Sequence, residues 1–352
     1  MIVFMIGTTA SGKTQLAVRL AEALGGEVVN CDALQLWRGI EILAATPSQE
    51  DMKGIPHHLY GIYDAFDNDM GVSPGVREWY EGCIQALSEI LGRGRVPICV
   101  GGTHYYLTYL LTQEGGRELV LKTGCRFLFL DAGTALVERV EQRILKMLQL
   151  GLLSEVHTCL TRISSERLER VIGAYVRDGK SDGPLQAIGL REFLDIPQEV
   201  FETSSTLPGA SSYLWTDRER FVKGLHCSFQ AGNALREALY DLRNNTVRYA
   251  HAQRRWRSRL LKHGLPLLEL DTSNWDEDSF VLSCLAHIHS SQPQFVFQRL
   301  DSVDYYCDRC NIHITGKHAF DTHCRSRKHR RHGHGKRQSP PPLSLQTDST
   351  PR

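Results

Sequence analysis

Near its start the chain carries a loop whose residue types are those that hold phosphate groups. Gly7 to Thr14 reads GTTASGKT, which fits the pattern G-x4-G-K-[ST]. Glycines let successive backbone N–H groups turn toward one anion, and a helix that starts at the loop adds partial positive charge. Lys13 can reach an outer phosphate, and the Thr14 hydroxyl can ligate Mg²⁺. This glycine-rich loop predicts a diphosphate or triphosphate ligand, bound by Gly7, Thr8, Thr9, Ala10, Ser11, Gly12, Lys13 and Thr14.

A second group of residues has the types and spacing of a metal site. Two thiolates and two imidazoles follow the C2H2 zinc-finger pattern Cys307-x2-Cys310-x12-His323-x5-His329. Such a set can close a tetrahedron around a structural Zn²⁺, and a module this small folds around its metal. Cys324 and His332 lie nearby in the sequence, which leaves the fourth ligand open.

A basic run accompanies this metal site. The long spacing between the two histidines resembles that of matrin/U1-type fingers, which occur in RNA-binding proteins. Seven Lys or Arg residues and no acidic residue lie between Arg325 and Arg337. The run is a solvated tail, a contact with a nucleic-acid backbone or a nuclear localisation signal.

Strands and helices that alternate along the chain must position the glycine-rich loop. Apolar and β-branched runs, each followed by helical spacing, predict strands at 2–6, 27–31, 95–100 and 126–131. This alternation predicts an α/β fold, a P-loop doubly wound parallel sheet that binds ligands at the carboxyl ends of its strands. Asp32, Thr103 and Asp131 follow three of these strands.

Other parts of the chain give weaker patterns. Residues 33–72 show no clear periodicity and are expected to form a long crossing beside the active site. Ser73, with Pro74 at the first helical position, predicts a helix start. Residues 151–262 are predicted to be helical throughout, and a short strand is expected at 267–270.

The length of 352 residues and a hydrophobic content of 41% suit two or three domains. We divide the chain into a catalytic core over 1–150, a helical region that completes the core over 151–289, a linker at 290–304, a C2H2 finger over 305–332 and a basic disordered tail over 333–352.

Cysteine usage and targeting signals bear on the compartment. Ten scattered cysteines fit reduced thiols better than a disulfide framework. No apolar run is long enough to cross a bilayer, and the first strand begins at residue 2, without a signal peptide or presequence. We expect a cytoplasmic or nuclear protein with no membrane partner; a mitochondrial form would require an upstream presequence.

Five ordered motifs make the chain similar to the tRNA dimethylallyltransferases, also called tRNA isopentenyltransferases. Beside the glycine-rich loop, these are DALQLW from Asp32, VGGTHYY from Val100, QAIGLREF from Gln186 and the segment from Thr246 to Trp256. Eukaryotic members also carry one C2H2 finger, as this chain does. The resemblance implies transfer of a dimethylallyl group to N6 of the adenosine next to the tRNA anticodon (position 37), giving N6-isopentenyladenosine.

The resemblance also implies a role for each catalytic residue. Lys13 and the loop amides would hold the diphosphate of dimethylallyl diphosphate, and Thr14 would help to bind Mg²⁺. Asp32 would accept the proton from N6 as this nitrogen attacks the prenyl carbon. Thr103 would hydrogen-bond the bridging oxygen of the leaving group.

Further residues are implied to hold pyrophosphate and tRNA. Arg139 and Arg143 are four residues apart, hence on one helix face, and both are candidates for the pyrophosphate. The anticodon stem-loop would contact Asp32, Ala33, Leu34, Gln35, Thr103, Gln186, Ala187, Ile188, Gly189, Leu190, Arg191 and Gln253. The protein is expected to act as a monomer.

The connection from Leu111 to Gly124 departs from the family pattern. Family members usually carry a helical insertion here that meets the tRNA, and nothing in residues 111–125 matches it. Three hypotheses follow: a tRNA dimethylallyltransferase; a P-loop kinase, with Asp131 as its Mg²⁺-binding acid, or an adenylate prenyltransferase that acts on a free nucleotide; and a catalytically impaired RNA-binding variant. The finger and the basic run favour the first hypothesis because a small nucleotide needs neither.

Overall fold

The computed structural model of the protein describes residues 1–67, 75–164, 183–194, 196, 201, 233–291, 304–307, 309–310, 312–315, 317–326 and 329. The chain forms two compact units, Met1–Phe297 and Gln298–Arg352. The predicted helix start at Ser73 and Pro74 and the tail 333–352 lie outside the described residues, as does most of the linker.

Ten strands occur in the described residues. Their bounds are β1 Ile2–Gly7, β2 Gly26–Asn30, β3 Trp37–Arg38, β4 His57–His58, β5 Tyr63–Asp64, β6 Val96–Gly101, β7 Cys125–Asp131, β8 Leu267–Asp271, β9 Asp304–Cys307 and β10 Ile312–Thr315. Six of them form one sheet in the order β4-β2-β6-β1-β7-β8. Every recorded pairing in this sheet is parallel. The prediction of an α/β fold with a parallel sheet is confirmed.

Eleven α-helices occur in the described residues. They are α1 Lys13–Leu24, α2 Glu41–Ala44, α3 Gln49–Met52, α4 Val76–Gly92, α5 His104–Thr112, α6 Glu114–Thr123, α7 Leu136–Gln149, α8 Leu152–Arg162, α9 Asn233–Lys262, α10 Glu277–His289 and α11 Lys317–Arg325. Short 3-10 turns lie at Gly133–Ala135, Gly183–Gln186 and Arg191–Phe193.

The core consists of two apolar layers, one on each face of the sheet. Side chains alternate along the fully buried strand β1, so Phe4 faces one layer and Met5 the other. Phe4 stacks on Phe127 at a ring distance of 5.2 Å and shares its layer with residues of α4, α5 and α7. Met5 shares the other layer with residues of α1 and α10. Helices on both faces leave the carboxyl ends of the strands open for a ligand.

Three segments differ from expectation. The crossing at 33–72 contributes β4, whose two residues pair with Val28 and Val29 and are too few to show a periodicity. In the region predicted to be helical throughout, 3-10 turns form at Gly183–Gln186 and Arg191–Phe193, and Gly189 between them has a φ of +103°, which an α-helix does not have. The short connection at 111–125 holds helix α6. Its Gly116 is required because a Cβ there would come 2.2 Å from the carbonyl oxygen of Leu110.

Candidate active site

The glycine-rich loop joins β1 to α1, and its backbone requires glycine at two points. Gly12, at the start of α1, has a φ of +83°, a conformation that costs little only for glycine. A Cβ at Gly7 would lie 2.1 Å from the carbonyl oxygen of Leu130 on β7. A hydrogen bond also fixes the loop to the residue after β7, because Ala132 donates its N–H to the hydroxyl of the fully buried Thr8 at 3.2 Å. The loop is therefore held in shape by protein contacts.

Lys13 lies at the head of α1 with its ammonium group turned onto the loop. Its Nζ donates to the carbonyl oxygens of Gly7, at 3.3 Å, and Thr8, at 2.5 Å. Burial lowers the pKa of Lys13 to about 8, the charge of Asp32 opposes this shift, and that of Arg143 adds to it. A buried cation that has only carbonyl partners gains from a nearby anion.

Asp32 and Thr103 follow adjacent strands, β2 and β6, as predicted. Leu34 donates its N–H to Asp32 Oδ1, and Ala33 donates its N–H to Thr103 Oγ1, each at 3.0 Å. Asp32 Oδ2 lies 3.3 Å from the point where a Cβ at Gly102 would sit. Both predicted catalytic groups therefore stand side by side, held by backbone amides, at the edge where parallel strands end.

Gln253 on α9 bridges the two strand-end loops. Its side chain, only 2% exposed, accepts from the N–H of Thr9 at 2.7 Å and donates to the carbonyl oxygen of Gly102 at 3.1 Å. A Cβ at Gly102 would come 2.4 Å from Gln253 Nε2, so only glycine leaves room for this bridge. The predicted contact of Gln253 with tRNA stays a prediction; both ends of its amide bind the protein itself.

The two arginine candidates for pyrophosphate point to different places. Arg143 lines the cavity and donates to the Thr9 hydroxyl at 3.1 Å. Arg139 instead donates to the hydroxyl of Thr272 at 3.0 Å and to the Thr272 carbonyl oxygen, and its guanidinium lies 5.8 Å from the Trp275 ring centre. Of the two, only Arg143 lies on the wall of the cavity that contains the glycine-rich loop.

Asp131, the acid that a kinase would use for Mg²⁺, is paired with an arginine. Arg254 Nη2 lies 2.8 Å from Asp131 Oδ1, and Arg254 Nε lies 2.8 Å from Oδ2. The same Nη2 donates to the carbonyl oxygen of Gly133 at 2.8 Å. A carboxylate that binds one guanidinium in two places is neutralised and oriented by it, which argues against a metal-binding role.

A cavity of about 1610 Å³ collects the predicted residues at the carboxyl edge of the sheet. Predicted residues on its wall are Thr9, Ala10, Ser11, Gly12, Lys13, Thr14, Asp32, Ala33, Leu34, Gln35, Thr103, Arg143, Ile188, Arg191 and Gln253. Gly7, Thr8, Arg139, Ala187, Gly189 and Leu190 are absent from the wall, and the side chain of Gln186 lies outside the described residues. The cavity therefore joins a cationic end, at the glycine-rich loop, to polar groups that follow β2 and β6.

Three tyrosines of the cavity wall, Tyr105, Tyr106 and Tyr249, were not among the predicted site residues. Tyr105 is 51% exposed and Tyr249 is 40% exposed, and both line the cavity. The hydroxyl end of Tyr249 is nevertheless buried near Asp32, which raises the pKa of Tyr249, while hydrogen bonds with Gln253 and Thr103 oppose the rise. Tyr249 precedes Gln253 by one helical turn, and this i, i+4 spacing within the Thr246–Trp256 motif was the available signal.

The second unit holds the predicted Cys/His cluster. Strands β9 and β10 form an antiparallel pair, and α11 carries His323. The ligand atoms of Cys307, Cys310, His323 and His329 all lie within 4.8 Å of one another. His323 Nε2 is 3.2 Å from the Cys307 sulfur, and His329 Nδ1 is 3.4 Å from the Cys310 sulfur. Two thiols and two imidazoles this close are a set that Zn²⁺ prefers.

Among the described residues, no helix combines the length and the apolar character that a membrane crossing needs.

Fold and cavity together define an α/β protein that takes its ligand at the carboxyl edge of a parallel sheet. A family model described as IPP transferase matches residues 35–119 and 112–259, which is more than half of the chain. The chain therefore belongs to the IPP transferase family. The two matched segments overlap at 112–119, within the connection between β6 and β7.

Curated relatives match over part of their length. The chain is 30% identical over 156 residues to adenylate isopentenyltransferase 7 (mitochondrial) of Arabidopsis thaliana, covering 44% of this chain and 46% of that protein. It is 45% identical over 109 residues to a tRNA dimethylallyltransferase of Parvibaculum lavamentivorans, covering 31% and 33%. The chain thus spans between about a third and a half of the length of these relatives.

Solved structures share the fold. The tRNA isopentenylpyrophosphate transferase from Bacillus halodurans gives a TM-score of 0.53 at 22% identity, over 82% of this chain and 95% of that chain. A eukaryotic dimethylallyltransferase acting on tRNA gives 0.55 at 20% identity, over 94% and 96%. At this identity the likeness supports a common fold.

His104, beside Thr103, makes the stability of the fold sensitive to acid. Its ring is 2% exposed and stacks on Trp256. Burial and the charge of Lys13 lower the pKa of His104 to about 4, while a hydrogen bond with the Gly102 backbone opposes this shift. Unfolded His104 binds a proton near its ordinary pKa of about 6.5. The folded state is therefore favoured above that pH and loses about 3 kcal/mol as pH falls toward 4.

We predict that His104→Phe, which keeps a ring on Trp256, removes this loss. Urea unfolding at several pH values from 7.5 to 4 should show a smaller fall in the free energy of unfolding for His104→Phe than for the wild type. The exposed His289, changed to Phe, is the control and should keep the wild-type slope. An unchanged slope in His104→Phe would contradict the account of this residue.

Proposed function

We propose that the protein transfers a dimethylallyl group from dimethylallyl diphosphate to N6 of adenosine 37 in tRNA. The observation that carries this proposal is the shared cavity. Its wall contains the lysine and amides of the glycine-rich loop together with Asp32 and Thr103. The names of the tRNA dimethylallyltransferase relatives support the same reaction.

In this proposal the glycine-rich loop is a P-loop that holds the diphosphate of the prenyl donor. Lys13 would leave the carbonyl oxygens it now binds and pair with the phosphates, and Arg143 would approach from the side of Thr9. The donor set suits Mg²⁺, because the Thr14 hydroxyl lines the cavity near the expected phosphates. Bound there, Mg²⁺ would stabilise the charge of the departing pyrophosphate. These groups would act on the leaving group.

Asp32 would act on the acceptor nitrogen, and Thr103 would act on the bridging oxygen of the leaving group. Asp32 Oδ1 accepts a backbone N–H, which orients the carboxylate, and Oδ2 would accept the proton of the attacking N6. Thr103 would donate to the bridging oxygen of the diphosphate while its own oxygen accepts from Ala33. The raised pKa of Tyr249 keeps its phenol protonated between these groups, so it can donate a hydrogen bond to the same oxygen.

The tRNA would approach over the 3-10 turns and the basic side of α9. Glu192 accepts from the N–H of Gly189 at 2.7 Å and from the Asn245 amide at 2.6 Å, which ties the turns to α9. Arg248 and Arg255 on the same helix are exposed and suit contact with phosphate groups. We also propose that the domain boundaries lie at 150, 289, 304 and 332. The protein would act as a monomer, in the cytoplasm or the nucleus.

A free adenine nucleotide is the second candidate acceptor. Two Arabidopsis relatives are named adenylate isopentenyltransferases, at 30% and 33% identity. The short connection at α6 would also leave less protein to bind a tRNA. The Cys/His cluster and the basic run after it favour RNA as the acceptor.

One transfer assay separates these acceptors. The protein is incubated with labelled dimethylallyl diphosphate, Mg²⁺ and either an anticodon stem-loop RNA or AMP. We expect label in the RNA, and Asp32→Asn should slow the transfer at least about 100-fold, since a positioned general base contributes that much. Asp278→Asn is the matched control, because that carboxylate is 84% exposed on α10.

The outcomes of the assay are distinct. Label in AMP alone would overturn the tRNA proposal in favour of the adenylate reaction. RNA binding without transfer would support the impaired variant. Equal transfer by Asp32→Asn and wild type would refute the role of Asp32 as the base.

For the second unit we propose a C2H2 zinc finger that binds RNA phosphates. Cys310→Ser should lose most of the zinc measured by elemental analysis, because a thiolate of the cluster is removed. Cys324→Ser is the matched control and should keep its zinc, since Cys324 stands outside the cluster. Loss of zinc from both variants would put Cys324 among the ligands and contradict the proposed set.

A further inference from the structure

The segment Thr272–Trp275, which we call the buttress, covers the outer side of the glycine-rich loop. Thr272 is fully buried, and its hydroxyl donates to the carbonyl oxygen of Ser11 at 3.1 Å. The ring of Trp275 lies against Gly12, where a Cβ would come within 2.3 Å of it. The buttress follows β8, so it comes from a part of the chain beyond the residues that the family model matches.

The contact with Ser11 determines which way one loop amide points. In a planar trans peptide the C=O and the following N–H point in opposite directions. Because Thr272 holds the Ser11 carbonyl on the outer side, the N–H of Gly12 turns toward the cavity, whose wall includes Ser11 and Gly12. Gly12 also stands at the N-terminus of α1, where an N–H and the helix dipole together favour an anion.

Arg139 holds the buttress in place. Its Nη1 donates to the Thr272 hydroxyl at 3.0 Å, its Nη2 donates to the Thr272 carbonyl oxygen, and its guanidinium faces Trp275. With an Arg139 N–H directed at its oxygen, the Thr272 hydroxyl keeps its own hydrogen for Ser11 or for the Asp131 carbonyl oxygen, also 3.1 Å away. The contacts of Arg139 therefore reach the loop through Thr272.

We propose that Thr272, held by Arg139, is a positioning residue that aims the Gly12 amide at the diphosphate of the substrate. The inference rests on the proposed function and deepens it at the same site. It also gives Arg139 a different task from that of Arg143, which lies on the cavity wall. A threonine hydroxyl behind the loop thus contributes to diphosphate affinity without touching the ligand.

The test measures binding of inorganic pyrophosphate with Mg²⁺ by calorimetry, so it needs neither acceptor nor transfer. Thr272→Val keeps the side-chain shape but loses the hydroxyl, and we expect binding to weaken about fivefold, the value of one hydrogen bond. Thr272→Ser restores the hydroxyl and should bind within about twofold of wild type. Thr158→Val is the control, since the hydroxyl of the half-buried Thr158 bonds within its own helix, to the carbonyl oxygen of Ser154.

A second variant, Arg139→Gln, tests the inference if Thr272→Val folds poorly. Arg139→Gln leaves the Thr272 hydroxyl in place but removes the guanidinium, and we expect it to weaken pyrophosphate binding while KM for dimethylallyl diphosphate rises more than kcat falls. The inference would be overturned if a folded Thr272→Val or Arg139→Gln binds pyrophosphate with wild-type affinity. It would also be overturned if Thr272→Ser and Thr272→Val lose equal pyrophosphate affinity. Pyrophosphate binding that depends on Thr272 in a protein that labels neither RNA nor AMP would support the inference and overturn the proposed function. A wild type that does not bind pyrophosphate would overturn both.

Discussion

The side-chain amide of Gln253 is the contact on which the candidate site depends. Its oxygen holds the N–H of Thr9 and its nitrogen holds the carbonyl oxygen of Gly102, so one residue of α9 fixes the loops after β1 and β6. The next residue, Arg254, binds Asp131 at the end of β7. Two consecutive side chains thus connect α9 to three strand ends. A buried amide with both ends paired resists displacement because either group left unpaired costs about 1–3 kcal/mol.

This arrangement concentrates cations on the cavity wall at the glycine-rich loop. Burial lowers the pKa of both Lys13 and Arg143; Asp32 opposes the shift in each case, and Tyr249 also opposes it at Arg143. Two buried cations near one carboxylate are stabilised when an anion enters. The Asp131–Arg254 pair balances its own charge and lies apart from this group. The electrostatics therefore favour a diphosphate beside the loop and leave Asp32 available for chemistry.

Local patterns in the sequence were enough to predict most of the main sheet and the positions of Asp32 and Thr103 after two of its strands. Four strands of the main sheet, β1, β2, β6 and β7, were predicted to within one residue at each end, because buried parallel strands are continuous apolar runs. The loop and the residues after β2 and β6 followed from the same strand ends. Non-local contacts were not predictable: β4 is recognisable only through its pairing with β2. The different directions of Arg139 and Arg143 depend on Thr272, a residue distant in sequence.

Helix α6 illustrates the same limit. Adjacent glycines at 115 and 116 lower helix propensity, so the connection gave no helical signal. In the fold, Gly116 lies so close to the Leu110 carbonyl that a side chain has no room, and its N–H binds the Tyr80 hydroxyl at 3.1 Å. Tertiary packing thus overrides local preference in the connection between β6 and β7.

The central claim is that the cavity takes a prenyl diphosphate in preference to ATP. Calorimetric titration of the full chain with Mg²⁺ and either dimethylallyl diphosphate or ATP, without an acceptor, measures this choice directly. The account predicts saturable binding of dimethylallyl diphosphate that ATP at equal concentration does not displace. Tighter binding of ATP, with no heat from dimethylallyl diphosphate, would contradict it.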